Sequence, residues 1–581
     1  MSAATPIPAA VDVRATPAVQ RAYFYLVGLV AIHMIVLGAA NLLRVGAEVA
    51  LGAPSGGFTG LPFVFNEFNR PSAVYREHAS LAIALLAVGV PAWAIHFRAA
   101  QNAALRSPEE RASALRSMYL HVVILVAALL VFAYTQRTLR LVLQGTTFGA
   151  AGASQAGFFL EPYWEARAAG AACMALSALA VLVLHVRLSI QDRAATLIGG
   201  RAAELRQLAF YTLVVVGLFY AAFSTAFTLN GLWDRLVADS IAPFPPPPQP
   251  PARTIVTYTP PDRDALLRFQ LLGQLPPIVT GLALWLGTWT WLGRGLRAHT
   301  HDGEVERRSI ARKLAIYLIV FVSALNVLFA ATSGLAATLR RALGDPVTAQ
   351  YESLVRDLGF PVAFTIVFST VWLFHRRVVD VEAARETELE RAATIRRLYT
   401  YLIAAIGLAM SAFGMAGAIG VVGSQLMGMN THPNGETATY LALVLVGVPA
   451  WGFHWWQARR RLDDHERRSL PRRGYLYLAA LGGILGVLVF GSAALYRLLN
   501  AILAGSFPLA TWHDLWHFTV DAAVSGSAFA FHVGILRADR RAELPESSVH
   551  TLKVLVRGGD AASARARLIE ALRDQSDISV R

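Results

Sequence analysis

The chain has 581 residues, 55% of them hydrophobic and only 15% charged, with a formal net charge of +14. Soluble globular domains carry about 25% charged residues, whereas apolar runs of about 20 residues recur here from end to end, each long enough to cross a bilayer; a soluble fold is excluded. A single cysteine, Cys173, excludes an intramolecular disulfide and a cysteine-only metal site.

The basic residues are nearly all arginine, with lysine only at Lys313 and Lys553. They cluster beside the apolar runs, where they set topology and attract anionic lipid. No soluble segment is large enough to carry a basic nucleic-acid-binding face. The Arg and Ala bias points to a bacterial source. The expected location is the cytoplasmic (plasma) membrane, with the lipid bilayer as the obligatory partner.

A short tail, 1–20, expected to be cytoplasmic, leads into the first apolar run near Tyr23. No cleavage site follows a short apolar stretch there, so the run reads as a retained helix. Apolar runs then predict helices near 22–44, 74–97, 116–137, 167–188, 208–231 and 269–292. A second series is predicted near 313–337, 357–375, 398–426, 438–457, 474–499 and 515–536. All are helical, because a spanning segment must satisfy its own backbone hydrogen bonds.

Six segments open with a basic residue and a Tyr-rich start: RAYFYLV at Arg21, RSMYLHV at Arg116, RQLAFYTLV at Arg206, RKLAIYLIV at Arg312, RRLYTYLIA at Arg396 and RRGYLYLAA at Arg472. Each opens an apolar run, followed by a loop and a second run. Five of the six second runs end in a histidine: His96, His185, His375, His454 and His532. Three of these read Trp-x-x-His, with Trp93, Trp372 and Trp451. The repeat is a helical hairpin, and six tandem hairpins make an all-α polytopic bundle of about twelve transmembrane helices. The linkers after the second helices are richer in arginine than the loops inside the hairpins. Positive charge stays inside, so the linkers and both termini are expected to be cytoplasmic.

The phrase VGVPAWAIH at Val88 returns as VGVPAWGFHWWQARR at Val446, followed by ERRSLPRRGYLYL. In these residues the chain resembles a bacterial family of uncharacterised four-helix membrane domains. That family carries a similar Pro-x-Trp-x-x-His-Trp phrase between its second and third helices. The likeness is closest from Arg396 to Leu536 and clear from Arg21 to about Gly145. It is weaker in the middle, where the third hairpin ends WTWLGRGL without the histidine. The resemblance implies about three tandem units, at 21–205, 206–395 and 396–536, and no particular activity.

Two segments depart from the apolar pattern. APFPPPPQPPAR, 242–253, forms an extended polyproline stretch in an outer loop. It is a spacer or a docking strap. The tail, 537–581, contains HTLKVLVRG, which alternates like a short strand. A helical pattern from Asp560 follows, giving a small cytoplasmic β-α tail. Either segment is a candidate contact for a protein partner.

Candidate chemistry is concentrated in the last helix, with His513, His517, Asp521 and Ser525. His513 and His517 share a face, as do His517 and Asp521. An intramembrane acid there is a candidate for a polar or ion pathway. The simpler reading is an interfacial His pair with Asp521 hydrogen-bonded to a neighbouring helix. The boundary set Trp93, His96, His185, Trp372, His375, Trp451, His454 and His532 reads as an anchor motif copied with the hairpin. Haem ligation by two of its imidazoles is the alternative. Gly414, Gly417, Gly420, Gly482 and Gly486 are helix-packing positions. No nucleotide loop, nucleophile elbow or zinc signature is present, so no enzyme, metal or cofactor is expected. The expected role is a non-enzymatic membrane scaffold or accessory subunit. Alternatives are a transporter or channel with its pathway near the last helix, or a haem-binding redox protein.

Overall fold

The computed structural model describes residues 18–54, 75–155, 160–237, 262–297, 306, 309–345, 353–383, 390–429, 433–542, 565–566 and 569–570. Among the described residues the chain is all-α, with no strand and with twelve helices long and apolar enough to cross a membrane. It is therefore a multi-pass membrane protein. The helices are α1 (Ala18–Ala50), α2 (Tyr75–Arg106), α3 (Ala114–Gln155), α4 (Trp164–Ala195), α5 (Gly200–Val237) and α6 (Arg263–Arg297). They continue as α7 (Ile310–Ala342), α8 (Gly359–Ala383), α9 (Glu390–Leu426), α10 (Pro433–Arg460), α11 (Leu470–Ala504) and α12 (Leu509–Ala542). The polyproline stretch and the strand-like part of the tail lie outside the described residues. In the tail, Arg565, Ala566, Ile569 and Glu570 are helical.

The helices outrun the apolar segments that predict them. α2 continues from the expected end at 97 to Arg106 through RAAQNAALR. Those residues are strong helix formers, and Ala100 and Ala104 are buried. At 1.5 Å per residue, the 33-residue α1 is about 50 Å long, against a hydrocarbon core of about 30 Å. The helix ends therefore stand beyond the apolar slab, and there the ionic chemistry collects. Pro91 and Pro449 lie within α2 and α10, which continue past them. A break occurs in α3, where Gly149 adopts φ +62°, a left-handed conformation that glycine tolerates without steric cost.

Consecutive helices pack in pairs: α1 with α2, α3 with α4, α5 with α6, α7 with α8, α9 with α10 and α11 with α12. The pairs join through α1 with α4, α5 with α8 and α9 with α12. Two further joints have one form. α3 packs against α5 and α6, and α7 packs against α9 and α10. Gln144 on α3 donates to the Phe269 carbonyl of α6 at 3.0 Å. Arg340 on α7 donates to Thr439 Oγ1 of α10 at 3.3 Å.

Candidate functional site

Three buried clusters of one composition sit at the helix ends beside the basic linkers. In the first, Tyr25 on α1 donates to Glu110 Oε1 at 3.2 Å, and Arg21 Nη1 donates to Glu110 Oε2 at 3.0 Å. Glu110 lies in a short helical turn, Pro108–Arg111, whose start is capped by Ser107 accepting from the Glu110 amide. In the third cluster, Tyr401 and Arg397 on α9 hold Glu466 in the same way, at 2.8 and 2.7 Å. Its turn, Asp464–Arg468, is capped by Asp463. In the second, Tyr211 and Arg206 on α5 hold Glu306 at 2.6 and 3.0 Å, and Gln207 adds a contact at 3.3 Å.

An arginine six residues after each glutamate joins the cluster from the following helix. Arg116 on α3 makes a two-pronged bond to Asp192 of α4, at 2.6 and 3.2 Å. Arg472 on α11 does the same with Asp539 of α12, at 2.8 and 3.3 Å. Arg312 on α7 and Arg472 also donate to Tyr211 and Tyr401, at 3.1 and 3.3 Å. Arg312 and Arg472 lie over the Trp289 and Trp455 rings, at 5.1 and 5.5 Å from the centroids, a favourable cation–π placement. The arginines are buried: Arg116 and Arg472 are each 1% exposed. Buried charges persist only when paired and hydrogen-bonded, and each cluster meets that demand across several of its helices.

Above each ionic cluster lies an aromatic one. Trp93 of α2 donates to the Tyr119 hydroxyl of α3 at 3.1 Å, and that hydroxyl lies 3.1 Å from His185 Nε2 of α4. His185 Nδ1 lies 2.8 Å from the Val181 carbonyl. A carbonyl can only accept, so Nδ1 carries the proton and Nε2 accepts from the tyrosine. The chain of donors is Trp93 to Tyr119 to His185. Trp451, Tyr475 and His532 repeat it at 2.9 and 3.0 Å, with His532 Nδ1 on the Ala528 carbonyl. The middle set differs. Ala315 stands where the tyrosine would be, three residues after Arg312. Trp285 Nε1 and His375 Nε2 are both buried without a hydrogen-bond partner among the described residues.

The boundary histidines fall into two classes. His185, His375 and His532 are wholly buried inside the bundle, so their side chains do not face lipid. His96 and His454 form a separate class on α2 and α10, packed on Tyr23 and Tyr399. The Trp372–His375 pair is not a copy of Trp93–His96. Trp372 donates across to Tyr399 of α9 at 3.4 Å, and the counterpart of Trp93 is Trp285. Both ring nitrogens of His185 and of His532 are engaged in hydrogen bonds, which leaves neither free to ligate haem in this arrangement.

In the last helix, His513 and His517 converge through Nε2 on the Ser424 hydroxyl of α9, at 2.9 and 2.8 Å. Ser424 also lies 3.1 Å from the Gly420 carbonyl. One hydroxyl proton cannot serve three acceptors, so at least one histidine donates from Nε2. Asp514 pairs with Arg497 at 3.1 Å. Asp521, one turn beyond His517, is half-buried and has no hydrogen bond or ion pair among the described residues. Ser525 packs away from this group, against Gly486 of α11. Among the described residues no three His, Cys, Asp or Glu side chains converge as a metal site.

The packing glycines divide by partner. Gly414 and Gly417 face Tyr440 of α10, and Gly420 faces His517. Gly482 meets nothing; the close approach to α12 is made by Gly483 and Gly486.

The glutamate clusters escape a reading based on apolar runs, because they lie in the linkers. A signal exists nonetheless: ERASALR at Glu110, ERRSIAR at Glu306 and ERRSLPR at Glu466 share Glu-Arg-x-Ser-x-x-Arg. The Ser caps the following helix in the first two, accepting from the Arg116 and Arg312 amides.

No curated protein and no solved structure matches the chain. A family model, "Domain of unknown function (DUF5671)", matches residues 21–160, 251–362 and 397–530. The first and third matches start at α1 and α9, whereas the middle match starts just ahead of α6. Together the three cover well over half of the chain, which accordingly belongs to the DUF5671 family, a domain of unknown function.

Proposed function

We propose that the chain is a non-enzymatic scaffold or accessory subunit of a bacterial plasma-membrane complex. It is built as six helical hairpins in three four-helix units, 21–205, 206–395 and 396–536, with both termini cytoplasmic. The polyproline loop and the C-terminal tail are further contact segments. In this reading the Tyr–Glu–Arg clusters are staples that tie each unit together at its cytoplasmic end.

One observation carries the docking part. The face of α3 that binds α5 and α6, and the matching face of α7 that binds α9 and α10, recur on α11, where they stand uncovered among the described residues. Counted from Arg116, Arg312 and Arg472, the joint residues fall in register. Five residues on stand His121, Tyr317 and Tyr477. The first two pack on Phe210 and Tyr399 of the next unit, whereas Tyr477 is 51% exposed. Sixteen residues on, Phe132 packs on Tyr220, and its counterpart Leu488 is 56% exposed. Twenty-eight residues on, Gln144 and Arg340 bond across their joints, and Asn500 is exposed. A third copy of a helix-pair-binding face, with its polar residue retained, suits a transmembrane helix pair of a companion subunit.

Purification from the native membrane in mild detergent, with mass spectrometry of what remains bound, tests this. A stoichiometric membrane companion, lost when Tyr477 and Leu488 are both changed to Ala, is the expected result. A solitary chain whose ion flux disappears in Asp521→Asn would overturn it in favour of transport. That second reading draws on the unpaired Asp521 beside His517.

A further inference from the structure

The middle unit holds a donor and an acceptor, on the Trp285 and His375 rings with centroids 6.2 Å apart, without the group that joins their counterparts. In the first and third units a tyrosine phenol bridges Trp Nε1 and His Nε2, with both contacts between 2.9 and 3.1 Å. In the middle unit the tyrosine is replaced by Ala315, and among the described residues both Trp285 Nε1 and His375 Nε2 are orphaned. His375 is wholly buried, and its Nδ1 lies 2.8 Å from the Val371 carbonyl. Its Nε2 is therefore an acceptor, while Trp285 Nε1 is only a donor.

The surroundings are otherwise kept. Ala315 belongs to a core cluster with Tyr211 against which Trp285, Trp289 and Val371 pack, as Tyr119 belongs to one with Tyr25 against which Trp93, Phe97 and Val181 pack. The buried histidine faces the second aromatic residue of α2, α6 or α10 in each unit: Phe97 at 6.2 Å, Trp289 at 5.8 Å and Trp455 at 6.4 Å. An unmet buried donor or acceptor destabilises the fold, so a pair of them stands at a disadvantage unless a ligand completes it. A carbonyl oxygen would satisfy Trp285 alone, and an ammonium would satisfy His375 alone. A hydroxyl satisfies both.

We propose that Trp285, His375 and Ala315 form a binding niche for a phenolic molecule, whose ring takes the place of the missing tyrosine side chain and whose hydroxyl accepts from Trp285 and donates to His375. The site is distinct from the companion-binding face on α11 and does not depend on it.

The probe is p-cresol, the tyrosine side chain cut at Cβ, with toluene as the ring without the hydroxyl. Equilibrium dialysis uses the purified full-length protein in detergent, with the Ala315→Tyr variant as the background for partition into micelles. The wild type should bind a single p-cresol above that background, and toluene at least about tenfold more weakly, the difference one or two hydrogen bonds make. Trp285→Phe should weaken p-cresol by about tenfold and leave toluene unchanged. Should Ala315→Tyr fail to fold, Tyr475→Ala supplies an independent arm: it opens a second niche and should raise the stoichiometry to two. Equal binding of p-cresol and toluene would show a merely apolar cavity and overturn the proposal. Binding of neither, as when water alone fills the niche, would overturn it as well.

Discussion

Removing the Glu466 carboxylate would leave Arg397 and the buried Arg472 beside Tyr401 with part of their counter-charge gone. Breaking a buried ion pair from one side costs about 3–5 kcal/mol, far more than an exposed pair is worth. Glu466→Gln is therefore expected to lower the thermal midpoint of the detergent-solubilised protein by several degrees. Glu109→Gln, at an exposed position beside the buried Glu110, should leave the midpoint unchanged. Light-scattering or tryptophan-fluorescence melts compare the two. Equal melts would mean that the cluster is not a staple. The same residues show what the sequence conceals. Glu110, Glu306 and Glu466 sit in hydrophilic linkers, where a reading of apolar runs assigns them to solvent. Only the recurrence of Glu-Arg-x-Ser-x-x-Arg marks them as a buried set.

At the scale of the helix, close approach is set by small residues at one register. A Cβ on Gly447 of α10 would stand 2.8 Å from the Ser411 amide nitrogen and 3.0 Å from the Gly407 carbonyl oxygen of α9. Backbone atoms cannot step aside as a flexible side chain can, so Gly447→Ala should force α9 and α10 apart and cost roughly 1–3 kcal/mol. Gly452, on the same helix, faces open space, and Gly452→Ala should be neutral or slightly stabilising. Thermal melts of both variants check this, and a neutral Gly447→Ala would contradict the packing described. Helix number and type were legible in the sequence because a bilayer-spanning length of apolar residues permits little else. Lateral packing was less legible. Gly482 and Gly486 share a spacing that suggests a pair, yet only Gly486 of the two approaches α12, together with Gly483, one position round the helix from Gly482. Spacing alone does not say which face meets a partner when lipid can cover any apolar face. The same ambiguity made Trp372–His375 look like a copy of Trp93–His96, when the two tryptophans serve different helices.

For the whole molecule, the proposed tandem arrangement places the helix ends that carry the three like clusters on one side of the membrane. In a Cys173→Ser background, single cysteines at Glu109 and Asp464 should react with a membrane-impermeant maleimide only after the cells are opened. Cysteines at Leu51 and Ser506, at the opposite helix ends and exposed, should react in intact cells. Labelling of Glu109→Cys and Asp464→Cys from different sides would refute the tandem arrangement. The joint face of α11, uncovered among the described residues, carries the functional claim and admits the most direct test. A photo-crosslinking amino acid placed at Leu488 is illuminated in native membranes, with Leu286 of α6, also exposed, as the control away from the joint. The account predicts a discrete crosslink from position 488 to one membrane protein, absent from position 286. Crosslinks to lipid alone from position 488, or the same products from both positions, would contradict it.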